Sequence, residues 1–151
     1  MTHDALAESG AGLDYVPPVD DLTQPWWDAT RDHRLVLQTC SACGWRQHHP
    51  RYVCGSCGSR AGHGWTEASG GAVIDTFTIV HKAPRPDLPL PYVVARVRLT
   101  EGPVLLTNII DRGLGDGSGE HPMHIGMVVY LHWRDLADGR SLPVFSSRES
   151  T

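Results

Sequence analysis

Through most of the second half of the chain, apolar and polar positions alternate with a period of two. Over residues 92–99 the alternation is strict. Val93, Ala95, Val97 and Leu99 fall on one face and Tyr92, Val94, Arg96 and Arg98 on the other, the pattern of a half-buried strand. Residues 72–80 also alternate, which places Val73, Phe77 and Ile79 together. Glu101-Gly102 predicts a tight reversal into a third strand over 104–110. Residues 111–120 carry four glycines and read as a loop. Strands over 127–133 and 140–146 follow, the last with Leu142, Pro143 and Phe145. Five strands opened by Gly70-Gly71, with one long connection between the third and the fourth, suit a small barrel of OB type. A five-stranded open sandwich is the competing architecture.

The first half follows different rules. Residues 1–16 are rich in small and acidic residues and read as a flexible tail. Pro17-Pro18 sets an extended entry. Thr23 is placed to cap a short helix over 24–33, with Pro25 early in it, where a missing N–H does no harm. A helix this short needs a surface to dock on, either its own barrel or another chain. Trp26 and Trp27 are adjacent, so their side chains point about 100° apart. One ring is expected against the ribbon or barrel and the other in a partner interface, where tryptophan is a favoured anchor. A purely internal role for both is the alternative. Residues 35–39 read as a strand. After it, Pro50, Gly55, Gly58, Gly62 and Gly64 break the chain into turns.

That strand runs into Cys40-Ser41-Ala42-Cys43-Gly44, and the pattern repeats as Cys54-Gly55-Ser56-Cys57-Gly58. These are all four cysteines of the chain. Two C-x-x-C-G hooks can each hold one side of a tetrahedral metal, so Cys40, Cys43, Cys54 and Cys57 are the expected ligands of a structural zinc ion. Iron in a rubredoxin-like site is the alternative metal, and two disulfides or four unligated thiols the alternative chemistry. His48 and His49 lie between the hooks, but four cysteines already saturate a tetrahedron. The segment looks too small and too polar to bury a core, so the metal is expected to hold it folded. The division read from these signals is a tail (1–16), a helical segment (17–34), a zinc ribbon (35–66), a barrel (67–147) and a loose end (148–151). The fold class is mainly β.

Length and composition add bounds. A chain of 151 residues, 40% hydrophobic, can bury one good core. No run of about 18 apolar residues exists, so no membrane span is expected. Residues 1–16 carry Asp4, Glu8 and Asp14 and no apolar segment, unlike a signal peptide. A cytoplasmic location is the expectation. The formal net charge of −4 is unevenly spread, with acids concentrated before residue 33 and a mildly basic stretch over 45–99. In that stretch Arg51, Lys82 and Arg85 are candidate contacts to a phosphate or an acidic partner edge; exposed loop charges are the alternative.

The order and spacing of several short pieces resemble one known family. They are Pro25-Trp26-Trp27-Asp28-Ala29, Leu35-Val36-Leu37-Gln38-Thr39-Cys40, Cys43-Gly44, Pro50-Arg51, Cys54 and Cys57-Gly58. They continue with Trp65, Ser69-Gly70-Gly71, Val73, Phe77-Thr78, Pro91-Tyr92-Val93-Val94, Gly102, Ile125-Gly126-Met127, Val129 and Pro143-Val144-Phe145. The family is a bacterial and archaeal domain of unknown function, built as an N-terminal helix, a rubredoxin-like zinc ribbon and an OB fold. The resemblance spans residues 17–146. It implies an accessory subunit of thiolase-like enzymes that act on acyl-CoA thioesters. Such a subunit stabilises its partner, lines the substrate channel or passes a thioester between enzymes. One branch resembles the domain that pairs with a lipid-transfer-protein-type aldolase in steroid side-chain degradation, where the partner cleaves a β-hydroxyacyl-CoA by retro-aldol chemistry. In that branch the domain can be fused to a hydratase module. No such module is present here, which implies a free-standing copy or an excised domain. Other branches serve an acetoacetyl-CoA thiolase with HMG-CoA synthase, or an acyltransferase for phenolic substrates.

Two other function classes have their own signals. An independent enzyme would need a nucleophile, but the cysteines are committed and no G-x-S-x-G occurs. A single-strand nucleic-acid binder would need a basic groove with stacking aromatics. Arg96 and Arg98 beside Tyr92 favour that reading; Glu101 and the acidic N-terminal stretch oppose it. The expected role is a non-catalytic partner of a thiolase-like aldolase or acyltransferase, with acyl-CoA at a shared site.

Overall fold

The computed structural model describes residues 16–82, 84–86, 88, 90–111 and 123–149. The expected N-terminal tail lies outside these but for its last residue, as do most of the glycine-rich loop, Pro89 and residues 150–151. A helix α1 (Gln24–Arg31) precedes eight strands: β1 (Val36–Cys40), β2 (Arg46–Gln47), β3 (His63–Glu67), β4 (Gly71–Val80), β5 (Tyr92–Leu99), β6 (Val104–Ile109), β7 (Val128–Asp135) and β8 (Ser141–Ser146). Strands β2, β1 and β3 form a small antiparallel sheet. The other five close into a barrel in the order β4-β5-β6-β8-β7, with β7 pairing back onto β4. Closure decides against the open sandwich and, among the described residues, leaves the barrel without a free edge strand. The closing β6–β8 seam is parallel and short, with Ile109 opposite Phe145. Thr107 adds a stitch there by donating its hydroxyl to the carbonyl of Pro143 at 2.8 Å.

The strict alternation of β5 holds: Val93, Ala95, Val97 and Leu99 are all buried. In β4 the expected face is corrected. Ala72 and Ile74 point into the core and Val73 points out, while Phe77 and Ile79 pack inward. The cause is a bulge. Ile74 pairs with Val97 and Thr76 with Arg96, so Asp75 is an extra residue that moves every later side chain to the opposite face. A simple period of two cannot survive one inserted residue.

The helix also departs from expectation at both ends. Thr23 is its N-cap residue but makes no side-chain cap. Instead its N–H and hydroxyl both donate to Asp20 Oδ1, at 2.8 and 2.7 Å, closing the turn before the helix. The helix stops at Arg31 because His33 takes the left-handed conformation, φ 54°. The N–H of Arg34 then bonds to the carbonyl of Ala29 and that of His33 to Thr30, a Schellman ending.

Both tryptophans are buried within this chain, Trp26 at 7% and Trp27 at 8% exposure, the internal arrangement given above as the alternative. Their divergence serves an internal purpose. The rings meet edge to face at 4.6 Å, Trp26 lies beside His48 of the ribbon, and Trp27 lies under the Arg140 guanidinium at 4.4 Å. Thr30, fully buried, donates to the Trp27 carbonyl and accepts from the N–H of Ser141 at the start of β8. Helix α1 is thus the joint between ribbon and barrel.

Leu35, Val36 and Leu37 enter the same core cluster as the barrel residues Ile74, Val97, Leu105, Val129 and Phe145. The ribbon therefore does bury apolar surface, through its first strand. The hook residues Cys40 and Cys54 are buried but stand outside that cluster.

Candidate metal centre

Each hook is a tight turn with the same backbone wiring. The N–H of Gly44 bonds to the Cys40 carbonyl and that of Cys40 to the Trp45 carbonyl; Gly58, Cys54 and Ser59 repeat the pattern. Gly44 and Gly58 share φ 73°, a conformation a side chain would strain, which explains the glycine after each second cysteine. The turns aim four Sγ atoms at one point, all within 4.8 Å of one another. Across the hooks, Cys40 and Cys57 are 3.9 Å apart and Cys43 and Cys54 3.7 Å. A zinc ion with Zn–S bonds near 2.3 Å needs sulfur separations of about 3.8 Å. The cluster fits that tetrahedron, whereas a disulfide needs about 2.05 Å. All four cysteines are free thiols, Cys40 and Cys54 buried, Cys43 and Cys57 exposed.

The surroundings of the thiols shift their acidity in opposite directions. Backbone hydrogen bonding at Cys57 and Ser56, with help from the Cys43 and Cys40 thiols, outweighs burial and lowers the Cys54 pKa to about 6. Cys43 moves up to about 12: a backbone hydrogen bond at Trp45 favours its thiolate, and burial with the three other sulfurs outweighs it. Metal binding must release such protons. Four thiolates complete the coordination, so the centre has no open position for a water or substrate and is structural.

Around the hooks lies a buried amide relay that the sequence reading missed. Gln47 donates to Gln38 Oε1 at 2.6 Å, the N–H of Arg51 donates to the same oxygen at 2.8 Å, and Gln47 Oε1 accepts from the N–H of Gly55 at 2.9 Å. A glutamine in a polar strand reads as solvent-facing, so alternation alone could not have found this pair. The only early hint was its position, two residues before Cys40 and four after Cys43. His48 and His49 lie outside the four-thiol cluster. Burial, aided by the charge of His49, lowers the His48 pKa to about 3.

The other candidates scatter. Arg51 is an exposed residue of the ribbon, while Lys82 and Arg85 are exposed in the loop after β4. They come from different modules. The Arg96/Arg98 stripe is tied down: the bulge residue Asp75 takes Arg96 at 2.9 Å and Arg98 at 3.2 Å. One cluster has the residue types of a hydrolase triad, but in the wrong order. His33 Nε2 and Ser141 Oγ both bond to Asp135 Oδ1, at 2.7 and 2.8 Å, so the carboxylate separates the serine from the histidine. No base reaches that hydroxyl through this arrangement. No helix among the described residues is long and apolar enough to cross a membrane.

Comparison with known proteins agrees with this architecture. Residues 27–61 match the family model of the ChsH2 rubredoxin-like zinc ribbon domain, and residues 65–134 that of the ChsH2 C-terminal OB-fold domain. A solved structure described as an Ltp2-ChsH2(DUF35) aldolase superposes with a TM-score of 0.74 at 35% identity, covering 87% of this chain and 98% of that one. A probable enoyl-CoA hydratase alpha subunit of Thermomonospora curvata is 38% identical over 122 residues, 80% of this chain. The present chain spans only 35% of that relative's length. A DUF35 domain-containing scaffold protein of Methanocaldococcus jannaschii is 26% identical, covering 84% of this chain and 86% of its own. A DUF35 protein of unknown function from Sulfolobus solfataricus shares the fold, with a TM-score of 0.56 at 16% identity over 75% of this chain and 78% of its own.

Proposed function

The chain belongs to the DUF35 family in its ChsH2 form, and from that premise we propose that it is a non-catalytic accessory subunit of a thiolase-like aldolase. It docks on that enzyme and helps to form the site for an acyl-CoA substrate. The favoured reaction is retro-aldol cleavage of a β-hydroxyacyl-CoA, of the kind met in steroid side-chain degradation, with the acid–base residues supplied by the partner. The observation that carries this reading is the likeness to a DUF35 chain from an aldolase assembly, over 98% of that chain. Two features of the site support it. The metal centre is closed by its own ligands, and the Ser141–Asp135–His33 cluster is wired against nucleophilic catalysis. The zinc-held ribbon, joined to the barrel by α1, shapes the surface presented to the partner. The domain limits set out above, with the ribbon over 35–66 and the barrel over 67–147, are part of this proposal.

A second reading keeps the scaffold role and changes the enzyme. The likeness to a probable hydratase subunit and to a scaffold protein favours another acyl-CoA thiolase, synthase or acyltransferase assembly. Co-expression with a thiolase-like aldolase, followed by size-exclusion chromatography and a retro-aldol assay on a β-hydroxyacyl-CoA, tests both. A stoichiometric complex that cleaves the thioester, while this chain alone does not, is the expected result. Turnover of an acyl-CoA by the pure chain would overturn the non-catalytic reading. A complex active only in acyl transfer would select the second.

A further inference from the structure

We infer that Gln38 and Gln47 are positioning residues of the metal centre, an amide relay that sets the second hook against the first. The two hooks come from separate stretches of chain. Cys40 ends β1, where pairing with β3 fixes it, while Cys54 and Cys57 sit in a turn with no strand of its own. Something other than a sheet must therefore fix the distance between them. The relay runs across that gap. Gln38 stands on β1 two residues before Cys40; Gln47 stands on β2, opposite Gln38 in the sheet; Gly55 directly follows Cys54. The bond from the Gly55 N–H to Gln47 Oε1, at 2.9 Å, locates the second hook, and that from Gln47 Nε2 to Gln38 Oε1, at 2.6 Å, refers it to β1. The Arg51 N–H on the same Gln38 oxygen, at 2.8 Å, pins the chain that enters the second hook.

The choice of side chain follows from the charge of the site. Zinc with four thiolates carries a formal double negative charge, so a carboxylate in the relay would be repelled. An amide is neutral and offers a donor and an acceptor at the end of a flexible arm. Both glutamines are buried, at 4% and 7% exposure, so a broken link leaves a polar group without water to replace its partner. The approach is close: a Cβ built on Gly55 would come 3.4 Å from Gln47 Oε1. Groups that orient metal ligands from outside the coordination sphere commonly change affinity by about 10–100-fold when removed.

The test uses the full zinc-loaded chain and two variants, Gln47→Leu and Gln47→Glu. Zinc affinity is read by competition with a chromophoric chelator, and amide hydrogen exchange is followed at Gly55 and Arg51. Gln47→Leu removes both links and is expected to weaken zinc binding at least tenfold and to deprotect the Gly55 amide. Gln47→Glu keeps the acceptor for Gly55 but sets a carboxylate oxygen against Gln38 Oε1; it is expected to weaken zinc binding with less loss of Gly55 protection. The barrel amides of Val97 and Leu99 should stay protected in both. Wild-type zinc affinity in the two variants overturns the inference. So does loss of barrel protection alongside ribbon protection, since the relay would then support the whole core and not the metal centre.

Discussion

His33 and Asp135 form a 2.7 Å hydrogen bond between the end of α1 and strand β7, made by a residue in a left-handed conformation. The imidazole also stacks on Trp133, with ring centres 5.4 Å apart and planes nearly parallel. Glycine or asparagine usually closes such a helix end; here the contacts to Asp135 and Trp133 offset the conformational cost. His33→Ala keeps the strained backbone and loses both contacts, so it should destabilise the chain by about 1–2 kcal/mol, half-exposure having weakened the pair. His33→Gly loses the same contacts but relieves the backbone and should be about 1 kcal/mol less harmful than alanine. Urea midpoints of the two variants against wild type decide the order.

Trp27 packs between the helix and Arg140, whose guanidinium also bonds to Asp138 and to the Pro17 carbonyl. Trp27→Ala should therefore cost about 3–5 kcal/mol, while Trp27→Phe keeps a ring under the cation and should cost much less. If the tryptophans work inside the chain, Trp26→Phe and Trp27→Phe should leave binding to the proposed partner enzyme unchanged. Calorimetric titration of each variant with the partner checks this.

Much of this architecture can be read from residue order. The C-x-x-C-G repeats announce the metal centre because ligand spacing is a local property. The alternation of β5 announces a barrel strand because its inner face is uninterrupted. What escaped the sequence depended on one-residue details or distant partners. The Asp75 bulge put Phe77 and Ile79 on the face opposite Val73, and His33 ended the helix two residues early, both through local backbone geometry that hydrophobic patterning does not record. The inward turn of both tryptophans needed the ribbon on one side and Arg140 on the other, more than a hundred residues further along. The glutamine relay was hidden because a buried polar side chain looks the same in sequence as an exposed one.

Asp75 holds Arg96 and Arg98 on the outer face of β4 and β5. With that carboxylate in place, a labelled single-stranded oligonucleotide should show no anisotropy change with the wild-type chain at low salt. Asp75→Asn frees both guanidinium groups and should produce weak binding that about 0.2 M salt abolishes. The pair is partly exposed, so the same change should alter stability by less than about 1 kcal/mol. Tight binding by wild type would instead place the barrel among nucleic-acid modules.

His48 makes stability depend on pH. Burial against Trp26, with the charge of His49, depresses its pKa from 6.5 to about 3 in the folded chain. The unfolded chain takes up a proton below about pH 6.5, and the folded chain refuses it until about pH 3. The stabilisation is thus complete above pH 6.5 and is lost as the pH falls towards 3, by at most about 1.4 kcal/mol per pH unit from this one group. Urea midpoints between pH 7.5 and 5.5, in excess zinc, should fall with pH in wild type and fall less in His48→Phe. Equal slopes would show that other groups carry the dependence.

Removing the metal should separate the two parts of the ribbon. Leu35, Val36 and Leu37 belong to the barrel core and do not need zinc, whereas the second hook has no strand of its own and is tied in by the relay and the metal. Chelation, or Cys43→Ser, should therefore deprotect the amides of residues 41–62 while those of β1 and the barrel strands keep their protection in hydrogen exchange. The thermal midpoint of the barrel should change little, because the cysteines lie outside the main apolar cluster. Partner binding then locates the docking surface. If zinc-free chain no longer binds the proposed aldolase partner, the hooks, with the exposed Trp45 and Tyr52 beside them, form part of the contact. If binding is retained in full, the contact lies on the barrel, where Val73, Ile125 and Val128 are the exposed apolar side chains of β4, β7 and the turn before β7. Collapse of the barrel on zinc removal would contradict the division of the core on which the prediction rests.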